Sequence, residues 1–262
     1  MRAIAFVHAT SRPTTRRTLL ALGTSLLLGG AGLLGGSPAG AQTPAGAPTP
    51  AAAPLKIGII GAGRIGGTLA RYWAKAGNEV FVSSRHPEEL EGLVAEMGPH
   101  AHAGTPRQAA AFGSVILVSV PYGAMPQLGK ELRTQLAGKI IIDTSNPEER
   151  RDGPMALAAQ KQGAGIATSQ YLHNRRVVRA FNCMSAASLA SNADRRPERL
   201  AIPIGGDDAQ ALKVAQQLVR EAGFDPVVIG SLARTREFDL GQPLATGSLT
   251  AAQMRSRLDR LH

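Results

Sequence analysis

The sequence predicts an α/β fold: a doubly wound, Rossmann-type, mostly parallel sheet in a single compact domain. Three observations predict it. Short β-rich runs that end in Gly, Pro, Ser or Asn alternate with helical stretches, the order that a parallel sheet with crossover helices requires. The first of these runs is continuously apolar, as a strand covered on both faces is. A glycine triplet spaced G-x-G-x-x-G stands directly between that run and the first helix.

Taken in order, "LKIGII" (55–60) is a buried strand, and "RIGGTLARYWAKAG" (64–77) carries apolar residues at helical spacing. "EVFVSS" (79–84) repeats the strand signal. "SVILVSVP" (114–121), "GKIIIDTSNP" (138–147), "RRVVRAFN" (175–182), "LAIPIGG" (200–206) and "PVVIG" (226–230) follow as further strands. The clearest helix is 207–223, with Asp207 or Asp208 as N-cap, Leu212, Ala215, Leu218 and Val219 on one face, and Gly223 as its stop. His100 and His102, in "GPHAHAG", read as an edge strand or loop rather than a metal site, because no further ligand is near in sequence.

Composition bounds the function. With 262 residues, 44% hydrophobic and 18% charged, the chain can bury a full core. The formal charge of +10 invites a nucleic-acid partner, but Arg2, Arg12, Arg16 and Arg17 precede any acid; without them 25 basic side chains face 19 acids, about +6. No Lys/Arg block with interleaved aromatics supports nucleic-acid binding.

Residues 1–41 read as an export signal. Basic "SRPTTRR" is followed by an uncharged run, "TLLALGTSLLLGGAGLLGG", and then "SPAGA", where Ala39 and Ala41 offer a small-x-small cleavage site. Arg16 and Arg17 stand immediately before a glycine-diluted apolar run, which suits the twin-arginine route for folded proteins and a periplasmic or otherwise exported destination. An ordinary secretory signal or an uncleaved anchor is the alternative. No later segment has 18 consecutive apolar residues, so no stable membrane insertion is expected after signal removal. Residues 42–54, "QTPAGAPTPAAAP", form a Pro/Ala-rich linker, and 55–262 the nucleotide-binding domain. Cys183 is the only cysteine, which excludes an intramolecular disulfide and a cysteine metal cage.

The glycine turn points to a dinucleotide. Gly61 allows the tight turn, Gly63 lets the backbone approach a pyrophosphate, and Gly66 lets the helix pack on the strand; Ala62, Arg64 and Ile65 complete the loop. The helix N-terminus offers N–H groups and positive dipole to the phosphates. At the end of the second strand, where an NAD site presents an acid to the ribose, stand Ser83, Ser84, Arg85 and His86. A serine hydroxyl and a guanidinium suit a 2′-phosphate, so the expected cofactor is NADP. Loops at other strand ends supply the remaining contacts. Val120, Pro121 and Tyr122 would wall the ribose and nicotinamide, and Asn146 and Asn182 would hydrogen-bond the carboxamide, although each asparagine equally suits a turn. Cys183 beside that mouth reads as a buried, inert thiol, and Asp143 as the cap of the "TSN" turn.

The strings "IGIIGAGRIGGTLA", "SSR", "VPYGA", "IIIDTSNP", "VVRAFNCM", "IPIGGDDAQA" and "EAGFDPVVIGSLARTREFD", in this order, resemble the NADP reductases of the deazaflavin coenzyme F-420 and the related reductase domains of membrane metalloreductases. The resemblance implies an NADP-binding oxidoreductase that passes a hydride between nicotinamide and a flavin-like or deazaflavin ring. It implies that Ser84 and Arg85 hold the 2′-phosphate, that the backbone at Phe181 and Asn182 faces the nicotinamide, and that the protein can be a homodimer. Hydride transfer to such a ring needs stacking and water exclusion more than acid–base groups, and no catalytic side chain is singled out. Two alternatives stand beside it. One is a hydroxyacid-type dehydrogenase, whose catalytic Lys domain the short stretch after Gly230 cannot supply; the other is an exported NADP-binding module without turnover.

Overall fold

The computed structural model describes residues 53–262, so the expected export signal and most of the expected linker lie outside the described residues. The first half runs β1 (Lys56–Ile60), α1 (Arg64–Lys75), β2 (Glu79–Ser83), α2 (Glu91–Met97), β3 (Ala101–Gly104), α3 (Pro106–Phe112), β4 (Val115–Val118), α4 (Met125–Glu131), α5 (Arg133–Leu136) and β5 (Ile140–Asp143). It continues through α6 (Glu149–Asp152), α7 (Pro154–Gln162), α8 (Ala164–Tyr171), β6 (Val177–Arg179), α9 (Ala186–Asn192), β7 (Ala201–Gly206), α10 (Ala209–Glu221), β8 (Asp225–Gly230) and α11 (Ala251–Asp259). The eight strands form one sheet in the order β3-β2-β1-β4-β5-β6-β7-β8.

Every pairing is parallel except β6 with β7, which sets Val178 against Gly206 and Arg179 against Gly205. The carboxyl ends of β1, β2, β4, β5 and β6 therefore open on one edge, where parallel sheets bind ligands. The sheet reverses from β1 to either side, β2 and β3 one way and β4 onward the other, which puts the switch point beside the glycine turn. The edge strand is β3, and His102 on it stacks with Phe81 and Phe112 at 6.1 and 5.7 Å between ring centres.

Both faces are covered, as the apolar strands demand. On one side Trp73 of α1 packs with Phe181 and Phe224, and its indole N–H donates to Leu218 O of α10 at 2.9 Å. On the other, Tyr122, Met125, Leu132 and Leu172 cover β4 and β5. Asp208 is the N-cap of α10, accepting from Ala211 N–H at 2.7 Å, and its neighbour Asp207 instead accepts from Leu232 N–H. After β8 a 3-10 segment, Leu232–Phe238, packs along α8 and β6 and returns the chain to the ligand edge. Among the described residues no helix is long and apolar enough to cross a membrane.

Candidate nucleotide-binding site

The three glycines of the turn lack side chains for three different reasons. Gly61 has φ +96°, a left-handed conformation, and a Cβ there would sit 2.4 Å from Ser119 O. Its N–H and that of Ala62 both donate to Ser83 O, at 3.3 and 2.9 Å, which locks the turn to β2. At Gly66 a Cβ would meet Gly61 O at 2.1 Å, so the helix can approach the strand only through glycine. Gly63 is exposed, and a Cβ there would meet nothing within 4 Å. No protein neighbour requires a glycine at that point; a ligand backbone lying against it would. Gly63 is also the N-cap of α1, without a side-chain cap and with no acid in the first turn, so the leading N–H groups face outward uncapped.

The end of β2 corrects one assignment. Ser83 is fully buried, and its hydroxyl donates to Ile59 O at 2.7 Å, so its side chain ties β2 to β1 and is not presented to a cofactor. Ser84 is half-buried, its Oγ accepting from His86 N–H at 2.7 Å and its proton still available. Arg85 is exposed and has no ion-pair or hydrogen-bond partner among the described residues. Arg64 is exposed likewise, while Ala62 and Ile65 pack their side chains on the core beneath the turn.

The next loop corrects another. Val120 is half-buried, its Cγ1 2.8 Å from where a Gly61 Cβ would be, and Pro121 is exposed at the rim. Tyr122 points the other way. Its ring is fully buried beneath β4, and its hydroxyl donates to Ala164 O at 2.8 Å, which leaves only its backbone at the mouth. Burial pushes the phenol well above its ordinary range.

Asn146 and Asn182 come together, but largely to bind each other. Asn146 Nδ2 donates to Asn182 O at 2.7 Å, and Asn182 Nδ2 donates to Phe238 O at 2.9 Å and to Asn146 Oδ1 at 3.3 Å. What remains is Asn182 Oδ1, a buried acceptor without a donor among the described residues; Ser145 Oγ, Arg179 Nε and Asp239 Oδ1 are likewise buried without a hydrogen-bond partner. Orphaned buried polar atoms are rare and mark where a ligand or water completes a network. Phe181, which precedes Asn182, has φ +62° and sends its ring into the core, edge-on to Trp73 at 6.1 Å. A left-handed backbone at a non-glycine residue costs on the order of 1–3 kcal/mol and gathers at functional sites.

Beneath this mouth lies a charged network that sequence reasoning missed. Arg179 is wholly buried at the end of β6. Its Nη1 donates to Asp143 Oδ2 at 2.9 Å and Ser145 O at 2.7 Å, and its Nη2 to Asn146 Oδ1 at 3.1 Å while lying 3.0 Å from Asp239 Oδ1. Asp143 does accept from Ser145 N–H at 2.8 Å, as a turn cap, and Thr168 Oγ1 donates to its other oxygen. The signal was present: an arginine and an aspartate at the ends of "VVR" and "IIID" require partners if those strands are buried. Cys183, half-buried beside Asn182, has its thiol pushed up to about 12 by burial.

A family model described as "NADP oxidoreductase coenzyme F420-dependent" matches residues 56–147. It covers the glycine turn, Ser84, Arg85 and Asn146, and stops short of Arg179 and the returning tail. The chain is 33% identical over 187 residues to Metalloreductase STEAP3 of Rattus norvegicus, an alignment that takes 70% of this chain and 36% of that protein, about a third of its length. It is 28% identical over 204 residues to the F420-dependent NADP reductase of Methanothermobacter thermautotrophicus, covering 72% of this chain and 87% of that one. Among solved structures, a hypothetical protein, SMa0349, from Sinorhizobium meliloti matches with TM-score 0.61 and 27% identity over 75% of this chain and 93% of that one.

Proposed function

We propose that the protein is an NADP(H)-dependent oxidoreductase that passes a hydride between nicotinamide and a flavin-like or deazaflavin ring. The observation that carries it is the end of β2. There an unpaired guanidinium and a serine hydroxyl stand beside the open Gly63 cradle, with no acid to receive an unphosphorylated ribose. The family match and the two relatives, one named an NADP reductase and the other a metalloreductase, support the same chemistry.

The residues present fit the cofactor. The uncapped N–H groups of α1 would meet the pyrophosphate, Arg85 and Ser84 the 2′-phosphate, and Asn182 Oδ1 an amide N–H of the carboxamide. Bound nicotinamide supplies the hydride, being oxidised as the acceptor ring is reduced. The chain orients it: the Arg179 network fixes the Asn146–Asn182 pair at the mouth. The N-terminal signal extends the reading to a protein exported already folded around its cofactor.

Titration calorimetry is the direct test, with NADP binding more tightly than NAD. Arg85→Ala is expected to weaken NADP about ten- to a hundredfold, the worth of a charge-assisted contact, and to leave NAD unchanged. Equal affinity for the two nucleotides would overturn the cofactor assignment. Single-turnover oxidation of bound NADPH by flavin, deazaflavin and ferric acceptors tests the transfer; a cofactor that binds and never reacts would make the protein a nucleotide-binding module.

A further inference from the structure

We infer that a cavity beside Asn146 is a subsite for an anionic group, phosphate or carboxylate, carried by the second substrate and held by Arg236; this rests on the hydride-transfer reading above. The cavity is about 220 Å3 and is walled mainly by polar groups: Asn146 after β5, Gln160 of α7, and Arg236, Asp239 and Gln242 of the returning tail. Asn146 belongs both to the nicotinamide mouth and to this wall. A molecule reaching into the cavity therefore also stands at the mouth.

Charge decides the ligand class. The charges of the acids nearby are already matched: Asp239 Oδ2 accepts from Ala164 N–H at 3.1 Å, its Oδ1 receives no hydrogen bond but lies 3.0 Å from the Arg179 guanidinium as an ion pair, and Glu237 accepts from Arg234 at 2.8 Å. Arg236 has no side-chain partner among the described residues, and its stem lies along Gly163, a Cβ at which would come 3.8 Å from Arg236 Cβ. Gln160 spends an amide N–H on Pro147 O at 2.9 Å, whereas the side-chain amide of the exposed Gln242 has no hydrogen-bond partner among the described residues. An uncompensated guanidinium beside a free amide is a donor set for an oxyanion. The wall contains no aromatic residue on which a ring could stack. The cavity thus suits an appendage of the acceptor, and the reacting ring stays outside it at the mouth.

FMN and riboflavin share a ring and differ by one phosphate, so the pair reads this subsite directly. With the NADPH-loaded protein, binding is followed by flavin fluorescence and transfer by loss of nicotinamide absorbance. FMN is expected to bind about five- to tenfold more tightly than riboflavin. Arg236→Gln is expected to remove that advantage with riboflavin affinity unchanged, and Arg236→Lys to retain part of it. Calorimetric NADP affinity should be the same in all three proteins, which establishes that the variants are folded and loaded. Equal binding of the two flavins, binding of neither, or an FMN preference that survives Arg236→Gln overturns the subsite. FMN preferred but never reduced keeps the subsite and removes the hydride-transfer reading; both flavins reduced and bound alike does the reverse.

Discussion

Gly63 and Gly66 are three residues apart on one turn, yet substitution at each should fail in a different assay. A methyl group at Gly66 would overlap Gly61 O, so Gly66→Ala is expected to destabilise the fold by about 1–3 kcal/mol through overpacking. A methyl at Gly63 meets no protein atom, and Gly63→Ala should leave stability within about 0.5 kcal/mol while weakening NADP at least tenfold. Thermal denaturation read beside calorimetry separates the two; a Gly63→Ala protein with full affinity would show that no ligand lies against that backbone. Cys183 is the other residue-level case. With its thiol pushed up to about 12, almost none is thiolate near pH 8, and alkylation by iodoacetamide should run more than about a hundredfold slower than in denaturant. The folded rate should rise with pH through pH 10. A folded protein labelled as fast as the unfolded one would contradict the burial.

At the scale of elements, the ligand edge is assembled from β1, β2, β4, β5 and β6 and then closed by a segment from far along the chain. The 3-10 stretch Leu232–Phe238 brings Phe238 O to Asn182 and Asp239 to Arg179, so one buried guanidinium joins β5, β6 and the tail. Breaking such a cluster from its centre strands the buried Asp143 carboxylate and leaves the half-buried Asp239 without its ion pair. Arg179→Met is therefore expected to cost about 3–5 kcal/mol, measured by denaturant unfolding, whereas Asp239→Asn should cost less because Asp143 keeps its partner. A near-neutral Arg179→Met would mean that the network relaxes to solvent. The glycine turn and the paired runs around it are legible from spacing alone. The Arg179 cluster is not, since its members are separated by up to 96 positions and only the sheet order makes them neighbours.

For the whole molecule, a ligand that binds only the folded state stabilises it by mass action. At about a hundred times its dissociation constant NADP should add about 2.7 kcal/mol, visible as a raised melting temperature, and NAD at the same concentration should add clearly less. An identical shift with both would contradict selection at the end of β2.

The sequence by itself determined the alternation of strands and helices, the position of the glycine turn and the missing acid after β2, because apolar periodicity and glycine stereochemistry act over a few residues. Tertiary structure decided which candidates reach the site. Ser83 and Tyr122 sit at strand ends as the sequence requires, yet the first points its hydroxyl at Ile59 O and the second its ring into the core. Side-chain direction there depends on sheet twist and on what the neighbouring layer leaves open. The antiparallel entry of β7, the returning tail and the buried ion cluster are decisions of the same kind, made by contacts between residues that the chain itself keeps far apart.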